Sequence, residues 1–234
     1  MCPTLHPDGG VVPKEVQLDP DERPIPMKTK RKMFVGALAV MFAASSCAVP
    51  APAASDNTIA AQLLSDSGGD NAAGFDDNWY DFDIVTQAVL LYPDLVAAAS
   101  DPEASLTAFL PNDRAFQVLV LDLTGKWVDS EQGVFDAVAS LGLPTVKTVL
   151  TYHLVPAKIA ASDALAADGA ELTTLQGGKI TVDVTEPRLS RIQLGDLDPD
   201  DDNPNLVYSK YNYGGTLSNG YIHGISLVLR PVNL

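Results

Sequence analysis

The clearest residues at chemically useful spacing in this 234-residue chain are carboxylates. In "DLDPDDDNPN", Asp196, Asp198, Asp200 and Asp202 alternate, so several side chains can point one way and offer oxygen ligands to Ca²⁺. An EF-hand-like loop begun at Asp196 would need Gly at its sixth position and Glu at its twelfth, where the chain has Asp201 and Val207. A solvated acidic loop is the stronger reading and a weak calcium site the lesser one. His153 and His223, the histidines outside the leader, sit among apolar residues, so the expectation for each is a buried ring bonded to backbone. As a metal pair they lack a third ligand. Ser226 in "GISLV" lacks the second Gly of a nucleophile elbow, and no H-E-x-x-H, P-loop or G-x-G-x-x-G occurs. No cofactor and no catalysis are expected.

Charge narrows the partners. From Ala54 onward there are 9 Lys or Arg against 25 Asp or Glu, a net −16. Such a surface repels phosphate backbones and anionic headgroups, so nucleic acid is disfavoured, and any membrane attachment would have to come through a lipid anchor. A solvated acidic surface that keeps an exported protein soluble is the simplest account.

Export is read from the leader. Lys28, Lys30, Arg31 and Lys32 form a basic n-region, Met33 to Ala44 an apolar run, and small residues follow. Met27 stands directly before the basic cluster and is taken as the initiator, which leaves 1–26 as an upstream, non-native start region and 27–53 as a signal peptide of bacterial type. Two processing routes remain open. Ala51-Pro52-Ala53 offers an A-x-A cleavage site before Ala54, whereas "ASSC" resembles a lipobox ending at Cys47, with Ala44 where that motif usually has Leu. Both cysteines, Cys2 and Cys47, lie in the leader, so the folded part has neither disulfide nor cysteine metal site. Its stability must come from a core, for which 46% hydrophobic residues suffice.

The elements that would position these residues begin after a stretch, 54–78, whose Ala, Ser, Asp, Asn and Gly content predicts a flexible linker. Phe82, Val85 and Val89 then fall at helical spacing, and Pro93 fits the first turn of a second helix that buries Leu95, Val96 and Ala99. In "TAFLPNDRAF" a strand from Thr107 is halted by Pro111. Asn112 or Asp113 caps a helix carrying Phe116, Leu119, Val120 and Leu123, which Gly125 ends. Phe109 and Phe116 are expected to clamp strand to helix. Ser130 caps another helix, with Val134, Phe135, Val138 and Leu141 inward, and a further one carries Val146, Val149 and Leu150. The period then shortens to two. "KITVDVT" and "RIQL" alternate as half-buried strands, the stretch between Thr185 and Ser218 is expected to hold an extended hairpin with an acidic tip, and "GYIHGISLVL", apolar on both faces, predicts a central strand. Helices first and strands after give one α+β domain over 79–232, with an antiparallel sheet or sandwich.

Three segments in order carry a resemblance. "TAFLPNDRAF" resembles the first signature of the fasciclin domain, T-x-F-x-P-x-[ND]-x-A-F, at Thr107, Phe109, Pro111, Asp113, Ala115 and Phe116. "VLTYHLVPAKI" is similar to its central segment through Tyr152, His153, Val155 and Pro156. "LSNGYIHGISLVLRP" is similar to its closing signature through Asn219, Gly220, Ile222, His223, Val228, Leu229 and Pro231. The resemblance implies an antiparallel β-wedge with helices packed on it, mainly from the N-terminal half, and an adhesion or matrix-interaction role exercised through the domain surface. It also implies a part in adhesion for the Tyr152-His153 segment, indirect if the ring is buried. The stretches 122–130 and 186–217 are longer than the family pattern. The expected partner is a protein or glycan at a cell surface or in a matrix. The alternatives are an envelope protein binding a small molecule or lipid, and, more distantly, a hydrolase using His153 or His223. The intact mass of the exported protein separates the two leader readings: a lipidated chain beginning at Cys47 or a free one beginning at Ala54.

Overall fold

The computed structural model describes residues 57–67, 74–76, 78–186, 191–207 and 217–233. The start region 1–26, the signal peptide 27–53 and Cys47 lie outside them. The expected linker contains a helix. In α1 (Ile59–Asp66), Thr58 caps by accepting the Ala61 N–H, and Ile59 and Leu63 are buried in the main core. Each such side chain contributes roughly 1.5–3 kcal/mol. The Ala, Ser and Asp content of this stretch hid an amphipathic turn with apolar residues four apart. Phe75 is likewise engaged, its ring 5.6 Å from that of Phe135.

Next come α2 (Asp83–Leu90) and α3 (Pro93–Ser100), the latter with Pro in its first turn as the spacing predicts. Strand β1 (Leu106–Pro111) runs straight into α4 (Asp113–Thr124), which Gly125 ends in a left-handed conformation at φ 67°. Ser130 caps α5 (Glu131–Ala139), and α6 (Leu143–Tyr152) follows. Leu141 does not face inward; it sits exposed in the turn between them. Among the described residues no single helix is long and apolar enough to cross a membrane.

The remaining elements are β2 (Leu154–Val155), α7 (Ala161–Leu165), β3 (Glu171–Thr173), β4 (Lys179–Glu186), β5 (Arg191–Gly195) and β6 (Gly220–Ile225). They form two three-stranded sheets, β2-β1-β6 and β3-β4-β5. The second is antiparallel throughout, whereas the first is mixed, because β1 and β6 run parallel from Leu106↔Gly220 to Pro111↔Ile225. The central strand of that sheet is β1, not β6. Strand β6 takes one edge and is met beyond by a single bridge between Leu206 and Ile225.

This arrangement makes β1 a partition. Every one of its residues is buried. Leu106, Ala108 and Leu110 face a helical core that includes Phe116, Leu119 and Ile222. Phe109 faces a second core with Tyr152, Ile180, Ile192, Leu194 and Ile225. Phe109 and Phe116 therefore do not clamp against each other. The period of two sends Phe109 to one side of the sheet, and the helix that carries Phe116 packs on the other.

The parallel pair approaches so closely at its start that a Cβ on Gly220 would lie 1.9 Å from the Leu106 carbonyl oxygen. Only Gly fits. Replacing Gly220 with Ala is expected to cost on the order of 3 kcal/mol by forcing the strands apart, read as a lower urea midpoint; an unchanged midpoint would contradict the pairing.

Candidate functional site

The strand-to-helix joint satisfies two helix starts at once. The first N–H groups of any helix have no partner inside it. At α4, the Asn112 side chain accepts the Ala115 N–H at 3.0 Å. The N–H groups of Asp113 and Arg114 go to the carbonyls of Asp81 (3.1 Å) and Trp79 (2.9 Å), in the loop before α2. That helix begins after Phe82, whose side chain cannot cap. Asp113 supplies the missing acceptor from across the joint: its Oδ1 takes the Ile84 N–H at 2.9 Å and its Oδ2 the Asp83 N–H at 3.1 Å. Of the two expected caps, Asn112 serves the helix that follows and Asp113 the helix before. Pro111 closes the strand, buried. Thr107, fully buried, donates to the Ala157 carbonyl (2.6 Å) and accepts the Ile159 N–H (2.9 Å).

Asn219 does the same work at the other end of the sheet. It is inaccessible, accepts the Ile59 N–H of α1 at 2.9 Å, and donates to the Ala99 carbonyl of α3 at 2.8 Å. It thereby ties a helix start and a helix end to β6 through one amide.

Both histidines are buried, as expected. His153 Nδ1 lies 2.8 Å from the Val149 carbonyl, and its Nε2 accepts the Leu229 N–H at 3.0 Å. The neutral Nδ1–H tautomer is the one that satisfies both contacts. Burial pushes its pKa down to about 4. His223 Nε2 lies 2.8 Å from the Ile159 carbonyl, and the ring sits 5.7 Å from Phe109 and 6.2 Å from Tyr221. Burial lowers its pKa too. Neither histidine belongs to a metal-competent group among the described residues. Ser226 Oγ accepts the Asn205 N–H, a strand-edge contact rather than a nucleophile's. The Tyr152 ring is inaccessible, and its hydroxyl donates to the Lys179 carbonyl at 2.6 Å. Burial raises its pKa.

The Asp-rich segment is not a solvated hairpin tip. It follows β5 and folds over Arg230, which is buried. The guanidinium meets Asp122 Oδ2 at 2.7 Å and Asp198 Oδ2 at 3.5 Å, and its Nε faces Asp201 Oδ2 at 3.0 Å, off the N–H axis. Asp196 Oδ2 accepts the Arg230 backbone N–H at 2.7 Å. Asp200 takes the Asn233 amide at 2.7 Å, and Asp202 is exposed. An arginine thus stands where the alternation suggested a cation, and only Asp196 and Asp198 of the four candidates turn toward it.

The model of the fasciclin domain family matches residues 82–231. The chain belongs to the fasciclin-domain family. A solved FAS1 domain pair from the insect cell adhesion molecule fasciclin I has the same fold, at a TM-score of 0.50 and 18% identity, over 74% of this chain and 51% of that one. The chain spans about half the length of that pair. No curated protein matches it.

Sequence reasoning missed a second feature of this fasciclin domain. Asp81, Asp83, Asp113 and Glu131 are all buried, and together with exposed Asp76 they form two overlapping carboxylate trios, Asp76-Asp83-Glu131 and Asp81-Asp83-Asp113. Burial is the largest cause of raised pKa values at Asp81, Asp83 and Asp113, and Asp83 is pushed up to about 6. The signal was the repeat of Asp on both sides of Phe82, since a buried aromatic drags its neighbours inward.

Two outcomes follow from this wiring. His153 binds its proton less readily when folded, so its contribution is full above about pH 6.5 and is lost as pH falls through about 4. The whole effect is on the order of 3 kcal/mol. Asp83 titrates in the opposite sense, so the comparison must be with His153→Gln, which keeps a donor and an acceptor. The stability advantage of wild type over this variant should shrink as pH drops from 7 to 4, and a constant difference would contradict it. Replacing Arg230 with Met strands Asp198, whose side chain is 2% exposed, and is expected to cost about 3–5 kcal/mol in urea unfolding.

Proposed function

We propose that this fasciclin domain is an exported module of the cell surface or extracellular space that adheres to a protein or glycan through its outer surface and without catalysis. Fasciclin domains occur in adhesion-type proteins. The observation that carries the reading is where the motif residues spend their polar atoms. Thr107, Asn112, Asp113, Tyr152, His153, Asn219 and His223 are buried and bonded to backbone, so none is presented to a substrate or a partner. Recognition is left to the exterior. There, Val232, 53% exposed, lines an open cleft of about 270 Å³ with Pro144, Thr148 and Pro231, and Leu143, the residue before Pro144, is 56% exposed. Exposed apolar side chains of this kind suit a macromolecular partner.

A small-molecule or lipid carrier is less well supported. The apolar cavity between β1 and the first three helices is about 30 Å³, which is room for water and little else. A hydrolase would need a free imidazole beside Ser226, and the ring nitrogens of His153 are both bonded to backbone.

Beads carrying the folded chain should be retained on cell-surface and matrix preparations above the level of beads carrying an unrelated acidic protein. The double change Leu143→Asp and Val232→Asp should reduce retention at least tenfold with little effect on the urea midpoint. Retention no better than the acidic control would overturn the proposal.

A further inference from the structure

The carboxylates gathered at the starts of α2, α4 and α5 have no place in the adhesive reading. Each trio keeps its ligand oxygens within 4.8 Å of one another. Oxygens on opposite sides of a Ca²⁺ ion, bound at about 2.3–2.6 Å, stand at about that separation. An acidic cluster alone argues little. The independent observation is Asp83, which belongs to both trios, is 2% exposed, and has an inaccessible Oδ1 with no hydrogen-bond partner. Asp81, 7% exposed, leaves its own Oδ1 in the same condition. Asp76, Asp81, Asp83 and Asp113 take part in no ion pair among the described residues. Arg114, next to Asp113 in the chain, lies over Trp127 at 4.5 Å and donates to Gln117. Buried carboxylates in this state need either protons or a metal.

We propose that Asp76, Asp83 and Glu131, backed by Asp81 and Asp113, form a divalent-cation site suited to Ca²⁺. All donors are hard oxygens, with neither His nor Cys among them, which disfavours zinc. Exposed Asp76 gives the ion a way in, and buried Asp83 and Glu131 hold it. The ion fixes the loop before α2 against the start of α5, which also carries the Phe75–Phe135 contact.

The test is calorimetric titration of CaCl₂ into the EDTA-treated full chain at pH 7, paired with thermal unfolding with and without 1 mM Ca²⁺. One saturable site and a raised unfolding midpoint are expected. Asp83→Asn should abolish both. Because that variant changes a buried residue, Asp76→Asn at the exposed position is the second probe and should weaken binding at least tenfold. Asp202→Asn, in the segment over Arg230, should change nothing. Absence of heat and of any midpoint shift at pH 7 would overturn the site and leave protons as the neutralising species. Binding lost in Asp202→Asn but kept in Asp76→Asn would also overturn it, by moving the ion to the other loop.

Discussion

A helix that starts inside a protein must find acceptors for its first N–H groups, and here one carboxylate does so for a helix other than its own. Asp113 opens α4 yet accepts from Asp83 and Ile84, while the loop before α2 returns two carbonyls to the first turn of α4. The exchange orients both helices, whose apolar faces share the main core. It also fixes β1, since Pro111 and Asn112 leave no slack between strand and helix. Because β1 divides the two cores, an error at this joint would propagate to both. Asn219 repeats the logic with an amide, which can accept at a helix start and donate at a helix end in one plane. Type follows role: the carboxylate stands where two donors converge, and the amide where one donor and one acceptor do.

The same solution creates an electrostatic burden. A cap carboxylate works best buried, where its hydrogen bonds are strong, but burial without a counter-charge raises its pKa. The chain handles two such places differently. Around Arg230, four aspartates share one guanidinium and the neighbouring backbone N–H, so charge is met by charge. Asp83 takes part in no ion pair among the described residues, and the proposed cation would supply the missing charge. A surface as acidic as this one concentrates cations and protons nearby, which makes an interior built on that supply feasible.

Periodicity and punctuation made the elements legible, and they failed where tertiary contacts decide. The proline of α3, the Asn112 and Ser130 caps and the Gly125 stop were readable because each acts within its own helix. The stretch holding α1 was read as a linker because eight residues carry too weak a periodic signal; what holds it is Asn219, 160 residues away. The apolar run of β6 implied a central strand, but its two covered faces say nothing of its edges, and a parallel partner cannot be read from alternation. Of the site residues, the burial of His153 and His223 followed from their apolar neighbours. The double service of Asp113 did not, because its partners lie 29 and 30 residues upstream. The Asp-rich segment misled for the same reason. Alternating carboxylates look alike whether they face a metal, water or Arg230, and only the fold brings Arg230 beneath them.

These commitments bear on how such a domain can act. Each buried polar side chain at the motif positions closes at least one backbone hydrogen bond, and leaving it unmade costs roughly 1–3 kcal/mol. The interior is therefore a poor place to evolve chemistry, since a histidine freed to act as a base would abandon the backbone group it satisfies. The exterior has no such constraint. The side chains of Leu143 and Val232 are exposed and carry no polar atom, and the Leu143 carbonyl that accepts the Tyr92 hydroxyl survives a side-chain change, so both can be exchanged with little effect on the cores beneath. A fold whose signature side chains are committed to its own backbone is thus best employed as a rigid carrier of its own surface, which is what an adhesive module requires.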